Sequence, residues 1–431
     1  MAINTTPPAT IKPADFGSDY LSEFWRGAMP MMRQVHKVLM LIENCSVPMD
    51  SRVWAEALTL REHGFQVSII GPKGTNLDRE SYVCLDGVHI YRYWSPPNND
   101  KCTDYMFEYG VAMLMTLFLS FKVLLRQGFD VIHVANPPDT YFLIGLLYRI
   151  LGKRLIFDQH DLSPELFLVK FSRRMPLLYR LQLFMERCSY RIASLVITSN
   201  GTMKEFALER GHIQASKVFV VYNGVDLNRI KRVSPEPELK RGRRFLLAFV
   251  GAMEIQDGVE TILLALHALV YKRGRQDVSL VVMGDGDHAP ALRKLAHELQ
   301  LDAYAHFNGW TPAKDVVRFL SVADVGLTPE PQNGLNEYCT LGKTLEYMAV
   351  GKPTVAFDLP ETQRLARDAA LYAKPNSVED FTDKIEMLLN DERLRGHMGA
   401  VGRKRIEEEF SWDHTKKELL RAYEGLVSQT L

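Results

Sequence analysis

From Lys37 onward the chain alternates short apolar runs with longer segments whose apolar positions recur every three or four residues. The first series reads KVLMLIE, RVWAEALTLREHG and QVSIIGP, and continues with DVIHVA, RLIFDQHD, SLVITSN and KVFVVYNGVD. Short apolar runs fit buried strands and the helical periodicity between them fits crossover helices, so the series predicts βαβ units and a parallel sheet. A second series, RRFLLAFVGAM, VSLVVMGDGD, AHFNGW, DVGLTPE and KPTVAFD, predicts another. The expected fold class is α/β, with doubly wound domains at 36–225 and 245–410. Between them VDLNRIKRVSPEPELKRGRR is polar, basic and carries two prolines, which marks a linker at 226–244. Residues 411–431 place Trp412, Leu419, Leu420, Tyr423 and Leu426 at helical spacing, predicting a C-terminal helix that packs back across the domain junction. Residues 1–35 are rich in Pro, Thr and Ala and lack the basic start and apolar run of a signal peptide, so they read as a disordered arm.

At 431 residues the chain exceeds one ordinary core, in keeping with two domains. Lys+Arg and Asp+Glu both number 52, so no global field draws the protein to nucleic acid, and any anion must be bound locally. Five cysteines, Cys45, Cys84, Cys102, Cys188 and Cys339, form no C-x-x-C pair, which fits a reducing compartment and a cytoplasmic location. The most apolar stretch, YGVAMLMTLFLSFKVLLRQG, is closed by Lys122 and Arg126 before it reaches the roughly 18 uninterrupted apolar residues of a spanning helix. A buried helix is expected there. The segment VKFSRRMPLLYRLQLFMERCSYRIA sets Lys170, Arg173, Arg174, Arg180, Arg187 and Arg191 beside Leu, Phe and Met. It admits two readings, a solvated face over the core or a helix lying on an anionic membrane surface.

In open parallel sheets ligands bind at the carboxyl ends of strands, so the chemistry is to be sought just after the apolar runs. In LGKTLEYMAVGKPTVAFDLPET, residues 341–362, Lys343 falls in the first turn of a helix. A cation there opposes the helix dipole by about 0.3–1 kcal/mol unless an anion sits between them, which points to phosphate held by Lys343 and helix N-terminal amides. Glu346 lies one turn on, where a carboxylate accepts hydrogen bonds from two vicinal hydroxyls. The competing reading is an exposed i, i+3 ion pair. FDQHDLSPE puts Asp158, His160, Asp161 and Glu165 after a first-domain strand, with the imidazole offering a donor and an acceptor. Asn223 and Gly224 form a tight turn beside the linker, as a hinge or a substrate contact. Asp285 and Asp287 of GDGD have metal-binding D-x-D spacing, but they close a strand and open a helix, where turn and N-cap roles are expected. No Cys/His cluster has ligand spacing. The absence of G-x-G-x-x-G after either first strand excludes a dinucleotide-dependent oxidoreductase.

The run LGKTLEYMAVGKPTVAFDLPETQRLARDAALYA, with NGVD at 223–226 and GDGD at 284–287, resembles the retaining glycosyltransferases of family four, which have the GT-B fold. The resemblance covers about residues 37–427. VPMDSRVWAEALTLREHGFQVSIIGPKG, GFDVIHVANPPD and FDQHDLSPELF resemble a bacterial branch concerned with cell-surface and exopolysaccharide assembly. The resemblance implies two Rossmann-like domains facing a central cleft. The second would bind a nucleotide sugar, above all a UDP-sugar, and the first would present a polyprenyl-linked or other glycan acceptor. It also implies transfer with retention, no metal and no other cofactor, and a place on the inner face of the plasma membrane.

Glu346 matches the second of the family's two site glutamates, whereas Tyr338 stands where the first belongs and the adjacent Glu337 becomes the candidate to touch the sugar. The loop VGAMEIQDGVE carries Ala252 and Asp257 where relatives place diphosphate-binding cations. Lys343 and the amides near Gly342 and Thr344 must then carry more of the phosphate, while Gly251 permits close backbone approach. His160 inherits a role beside the sugar, and Trp310 either stacks on the base or packs under its loop. Arg52, Asp158, Asp161 and Asn223 are the candidates on the acceptor side of the cleft. The departures keep open a noncatalytic scaffold of this fold, and a sugar-nucleotide epimerase or a phosphorylase stays open because it shares the fold.

Overall fold

The computed structural model describes residues 36–74, 78–96, 102–171 and 175–428. The expected N-terminal arm, Arg173 and Arg174 lie outside the described residues. The first sheet holds β1 (Lys37–Leu41), β2 (Gln66–Pro72), β3 (Tyr82–Leu85), β4 (Val88–Tyr93), β5 (Val131–Ala135), β6 (Arg154–Gln159), β7 (Leu195–Thr198) and β8 (Val218–Val220). Their order is β3-β4-β2-β1-β5-β6-β7-β8. The second sheet holds β9 (Phe245–Val250), β10 (Val278–Met283), β11 (Ala305–Gly309), β12 (Val325–Thr328), β13 (Thr354–Phe357) and β14 (Ala370–Ala373), in the order β11-β10-β9-β12-β13-β14. Two Rossmann-like domains result, and each sheet reverses its winding once, between β1 and β5 and between β9 and β12. Those reversals create the crevices in which this kind of sheet binds ligands.

Most apolar runs land on strands buried on both faces, as all six residues of β10 and all five of β5 are, while the edge strands β8 and β11 are only partly covered. Three strands escaped the reading. β3 pairs antiparallel with β4, so the first sheet is mixed at its edge rather than wholly parallel. The turn between them is Asp86-Gly87 with φ of 47° and 78°, the left-handed pair that a tight hairpin requires. β3 is mostly exposed and therefore carries no apolar run, and the Asp-Gly turn that could have revealed the hairpin was not read. β4 and β14 also went unread; β14 is an edge strand whose two middle residues, Leu371 and Tyr372, are only partly buried, so it carries no uninterrupted apolar run.

The chain passes between domains twice at one place. Val225 N–H donates to Phe410 O at 2.9 Å and Trp412 N–H donates to Val225 O at 2.8 Å, tying the exit from the first domain to the return from the second. Helix Trp412–Ser428 then lies on the first domain, with Leu419, Ala422, Tyr423 and Leu426 in one cluster with Leu60, Val67 and Ile69. Trp412 Nε1 donates to Thr59 Oγ1 at 2.9 Å. The segment between the sheets is not loose: Ile230 is buried in a second-domain cluster and Lys240 pairs with Asp324 at 2.7 Å.

The apolar helix Cys102–Arg126 departs from expectation. One face, with Ala112, Thr116, Leu119, Ser120 and Val123, is buried, while Phe107, Leu114, Phe118, Phe121 and Leu125 are exposed. Apolar composition on all sides could not distinguish a core helix from one with a bare apolar face.

Candidate active site

On the second domain the site is built where β9 and β12 diverge. Gly251 follows β9 at φ 148°, and a Cβ added there would lie 2.8 Å from Lys343 Cε, so only glycine leaves the lysine its place. Lys343 begins helix Gly342–Ala349 and is almost fully buried. Its ammonium contacts Glu330, lies 3.4 Å from Asp257 Oδ1 and sits 4.5 Å from the centroid of Phe249. Burial works against the charge, but Glu330 and Asp257 prevail and raise its pKa. The cation that seemed unbalanced in sequence is therefore neutralised by two carboxylates, one from the loop after β9 and one from the end of β12.

Glu346, one turn along, is the opposite case. Its Oε2 is buried and accepts no hydrogen bond among the described residues. Burial pushes its carboxyl up to about 7, against the pull of Arg229 and Lys343. Arg229, from the segment joining the domains, is a cation near this carboxyl that the motif reading missed. Thr344 is tied to the sheet, since its Oγ1 meets Thr328 Oγ1 at 3.1 Å and its N–H donates to Leu341 O. Gly342 is exposed, and the helix start carries no side-chain cap, so no capping side chain occupies the amides of its first turn.

The loop before this helix docks on the first domain. Asn200 Nδ2 donates to Tyr338 O at 2.9 Å and to Thr340 Oγ1 at 3.1 Å, and the Tyr338 ring packs edge-on to Phe206 at 5.0 Å. That contact gives a physical reason for tyrosine at 338, because a carboxylate would lie against Phe206. Glu337 accepts from Gln332 Nε2 at 2.9 Å, a loop contact. Trp310, at the end of the edge strand β11, is 54% exposed and does not pack beneath its loop. Asp285 and Asp287 do not cap the following helix: His288 holds the N-cap position without a side-chain bond. The glycines carry that turn, since a Cβ on Gly284 would fall 1.8 Å from Gly251 O.

On the first domain β6 delivers Asp158, and the loop after it delivers His160. His160 Nε2 lies 2.7 Å from Asp158 Oδ2 and 3.2 Å from Arg52 Nε, so the ring is held through that nitrogen. Arg52, from the first turn of helix Ser51–Glu62, donates to Asp158 at 2.8 Å, to Val221 O at 2.8 Å and to Asn223 Oδ1 at 2.7 Å. Arg52 thus joins the strand end, the His loop and the hinge turn. Burial disfavours the Asp158 carboxylate, yet Arg52 and His160 outweigh it and hold its pKa well below the usual range. Burial likewise opposes the His160 imidazolium, and Asp158 overrides it, raising the pKa. Asp161 lies beside them, its carboxyl raised by burial. Glu165 is drawn off to Arg210 at 2.5 Å.

Behind Asp158 the fold gathers groups that sequence spacing kept apart. Glu56, His133 and Asp158 bring ligand-type atoms within 4.8 Å of one another, and His133 Nδ1 bonds Tyr423 OH of the C-terminal helix at 2.7 Å. Arg52 Nε lies 3.3 Å from Glu56, so a guanidinium already supplies positive charge to this cluster. Burial pushes Glu56 up to about 7, with Asp158 adding to the rise. Asn136, from the ANPPD motif, accepts from the N–H groups of His160 at 2.7 Å and Asp161 at 3.2 Å and so shapes the loop that carries His160. A 280 Å³ cavity between the domains, lined by Tyr222, Thr340, Glu361, Arg364 and Arg405 among others, includes none of the candidate residues.

The model described as "Glycosyl transferases group 1" matches residues 244–391, and that described as "Glycosyltransferase Family 4" matches residues 50–229. The two matches fall one on each domain. The chain is a glycosyltransferase of this group. The uncharacterized glycosyltransferase MJ1069 of Methanocaldococcus jannaschii is 23% identical over 359 residues, covering 81% of this chain and 88% of that protein. The MMP alpha-(1->4)-mannosyltransferase of Mycolicibacterium hassiacum is 25% identical over 316 residues, covering 70% and 72%. Among solved structures, Anabaena HepE in complex with UDP and glucose superposes with a TM-score of 0.69 at 14% identity, over 90% of this chain and all of that one, which bears on the fold alone. That fold is GT-B, and the glycosyltransferase has its candidate donor and acceptor groups on the carboxyl rims of the two sheets.

Proposed function

We propose that the protein transfers a hexosyl group from a nucleotide sugar, first of all a UDP-sugar, to a lipid-linked or other glycan acceptor, with retention of configuration, in surface polysaccharide or glycoconjugate assembly. The observation that carries this reading is the unpaired, buried Oε2 of Glu346 at the β9/β12 crevice, placed to accept ribose hydroxyls. Lys343 and the uncapped helix start would meet charge on the departing diphosphate, electrostatic catalysis without a resident metal. For the lysine to do so, the incoming phosphate must displace Glu330 or Asp257 from it. His160 Nδ1 would contact the sugar or the acceptor hydroxyl, with Asp158 and Arg52 fixing the ring. Same-face attack assisted by the leaving phosphate accounts for retention, which comes from the family resemblance. The UDP bound to HepE and the mannosyl transfer named for the mycobacterial relative support the donor class without choosing the base. A cytoplasmic location agrees with the thiols and with the supply of nucleotide sugars.

A noncatalytic scaffold is favoured by one observation, the full neutralisation of Lys343 by its own chain. One experiment separates the readings: incubation with UDP-, GDP- and ADP-sugars and a bacterial lipid extract, following nucleotide release and lipid mass together. Release from one donor with a hexose-sized mass gain on a lipid, reduced at least about 100-fold in Glu346→Ala, is the expected result. Near-wild-type turnover by Glu346→Ala would remove that residue from the site, and UDP binding without turnover would favour the scaffold.

A further inference from the structure

Helices Cys102–Arg126, Phe142–Arg149 and Pro176–Ile192 form one layer on the first sheet. The first two share a cluster with Leu39, Ile132 and Leu155, and the Phe121 and Tyr148 rings meet at 5.7 Å. Arg149 Nη1 reaches Ile192 O at 3.4 Å, joining the second helix to the third. The outer side of this layer is apolar. Phe107, Leu114, Phe118, Phe121 and Leu125 recur every three, four or seven residues and so form one stripe, with Leu125 86% exposed. Ile150 at 81% and Leu177 at 78% extend the bare surface across the other two helices. Contiguous apolar surface of this kind marks an interaction face.

We propose that this layer docks on an anionic lipid bilayer, with the Phe107–Leu125 stripe buried at the headgroup–acyl boundary. Helix Cys102–Arg126 is long and apolar enough to cross a membrane, but its inner face is tied down. Thr116 and Tyr141 hydroxyls meet at 3.1 Å, and Ser120 and Tyr148 hydroxyls at 2.8 Å, so the helix lies along the surface and does not leave the sheet. The stripe spans roughly 27 Å of helix, enough for a firm interfacial contact. Charge selects the partner. Exposed Arg126, Arg149, Arg180, Arg187 and Arg191 flank the apolar surface, whereas Glu186 is buried against Arg210. A two-fold contact with a second copy would set these arginines near their equivalents, and anionic lipid would neutralise them.

The cleft end of the stripe is fixed by Lys170, which donates to Tyr105 OH at 2.7 Å from the helix that follows the His160 loop. A lipid-borne acceptor would therefore arrive beside the catalytic rim. That consequence rests on the transfer reading, and the lipid contact itself does not.

The test is co-sedimentation of the full chain with large unilamellar vesicles of phosphatidylcholine, with and without phosphatidylglycerol, in the absence of any sugar donor. The wild type should pellet with phosphatidylglycerol vesicles and lose that binding as salt is raised. Leu114→Ser/Phe118→Ser/Leu125→Ser, three exposed positions, should bind at least about tenfold more weakly while melting as the wild type does. Lys122→Gln/Arg126→Gln keeps the apolar stripe and should lose much of the phosphatidylglycerol dependence. Wild-type protein that stays in solution, or undiminished binding by the triple variant, overturns the proposal. So does a lipid-free dimer in sedimentation velocity that the triple variant abolishes, which would assign the face to a second copy. A protein that binds vesicles and transfers nothing sinks the transfer reading alone.

Discussion

The two rims of the cleft handle buried charge in opposite ways. On the first domain Asp158 receives Arg52 and His160, and its carboxylate is more at home there than in water. On the second domain Glu346 has a buried oxygen with no donor among the described residues, and burial pushes its carboxyl up to about 7. The first rim is organised by its own residues before any substrate arrives. The second retains an unmet acceptor, the feature expected of a group whose partner is a ligand. Lys343 stands between these cases, since its charge is satisfied internally and becomes available only if a carboxylate lets go.

The sharpest way to break this contrast is Asp158→Asn. Loss of the carboxylate leaves the buried Arg52 guanidinium with Glu56 as its remaining ion-pair partner among the described residues, and a destabilisation of about 3 kcal/mol is expected in denaturant unfolding. Because the folded pKa of Asp158 is depressed, its contribution is complete above the unfolded value and drains away as pH falls below it. The wild type should therefore lose stability in acid that the variant does not. An acid limb unchanged by the substitution would refute the assignment.

Glu346→Gln tests the other rim with the opposite sign. A folded pKa raised from 4.5 to about 7 means that the native state holds a proton which the unfolded chain has released. Stability attributable to this group therefore falls as pH rises from the unfolded value to the folded one and is flat above it. Without donor, Glu346→Gln should be more stable than the wild type at pH 8, by on the order of 2 kcal/mol, and about equal to it in mild acid. Thermal melts across that range decide the matter, and a variant less stable at high pH would show that Glu346 has a partner. The smallest effect is expected behind the first rim. Tyr423→Phe removes one hydrogen bond to His133 and should cost about 1 kcal/mol in unfolding while leaving donor binding untouched. A change in nucleotide affinity measured by calorimetry would mean that the C-terminal helix reaches the donor rim.

What could be read along the chain was whatever depends on near neighbours. Both-sided burial makes a parallel strand an apolar run, so the central strands were visible as local composition and the partly covered β8 and β11 by their place in the same alternation, and the reversal of a doubly wound sheet placed the chemistry after them. The exposed edge strand β3 had no such run and went unread, although its Asp86-Gly87 turn is the local signal that could have found it. Glu346, His160 and Asp158 stood in recognisable motifs, but nothing local told that Glu330 and Asp257 neutralise Lys343, because those contacts span 13 and 86 residues. Glu56, His133 and Tyr423 meet for the same reason, drawn from a helix, a central strand and the far end of the chain. Nor did apolar composition reveal which side of helix Cys102–Arg126 is covered. Local sequence determined the elements and the residue types at their ends, since backbone preference and burial act over a few residues. Only the tertiary structure decided which charges are already paired and which apolar face is left bare, since Coulomb interaction and packing depend on distance in space.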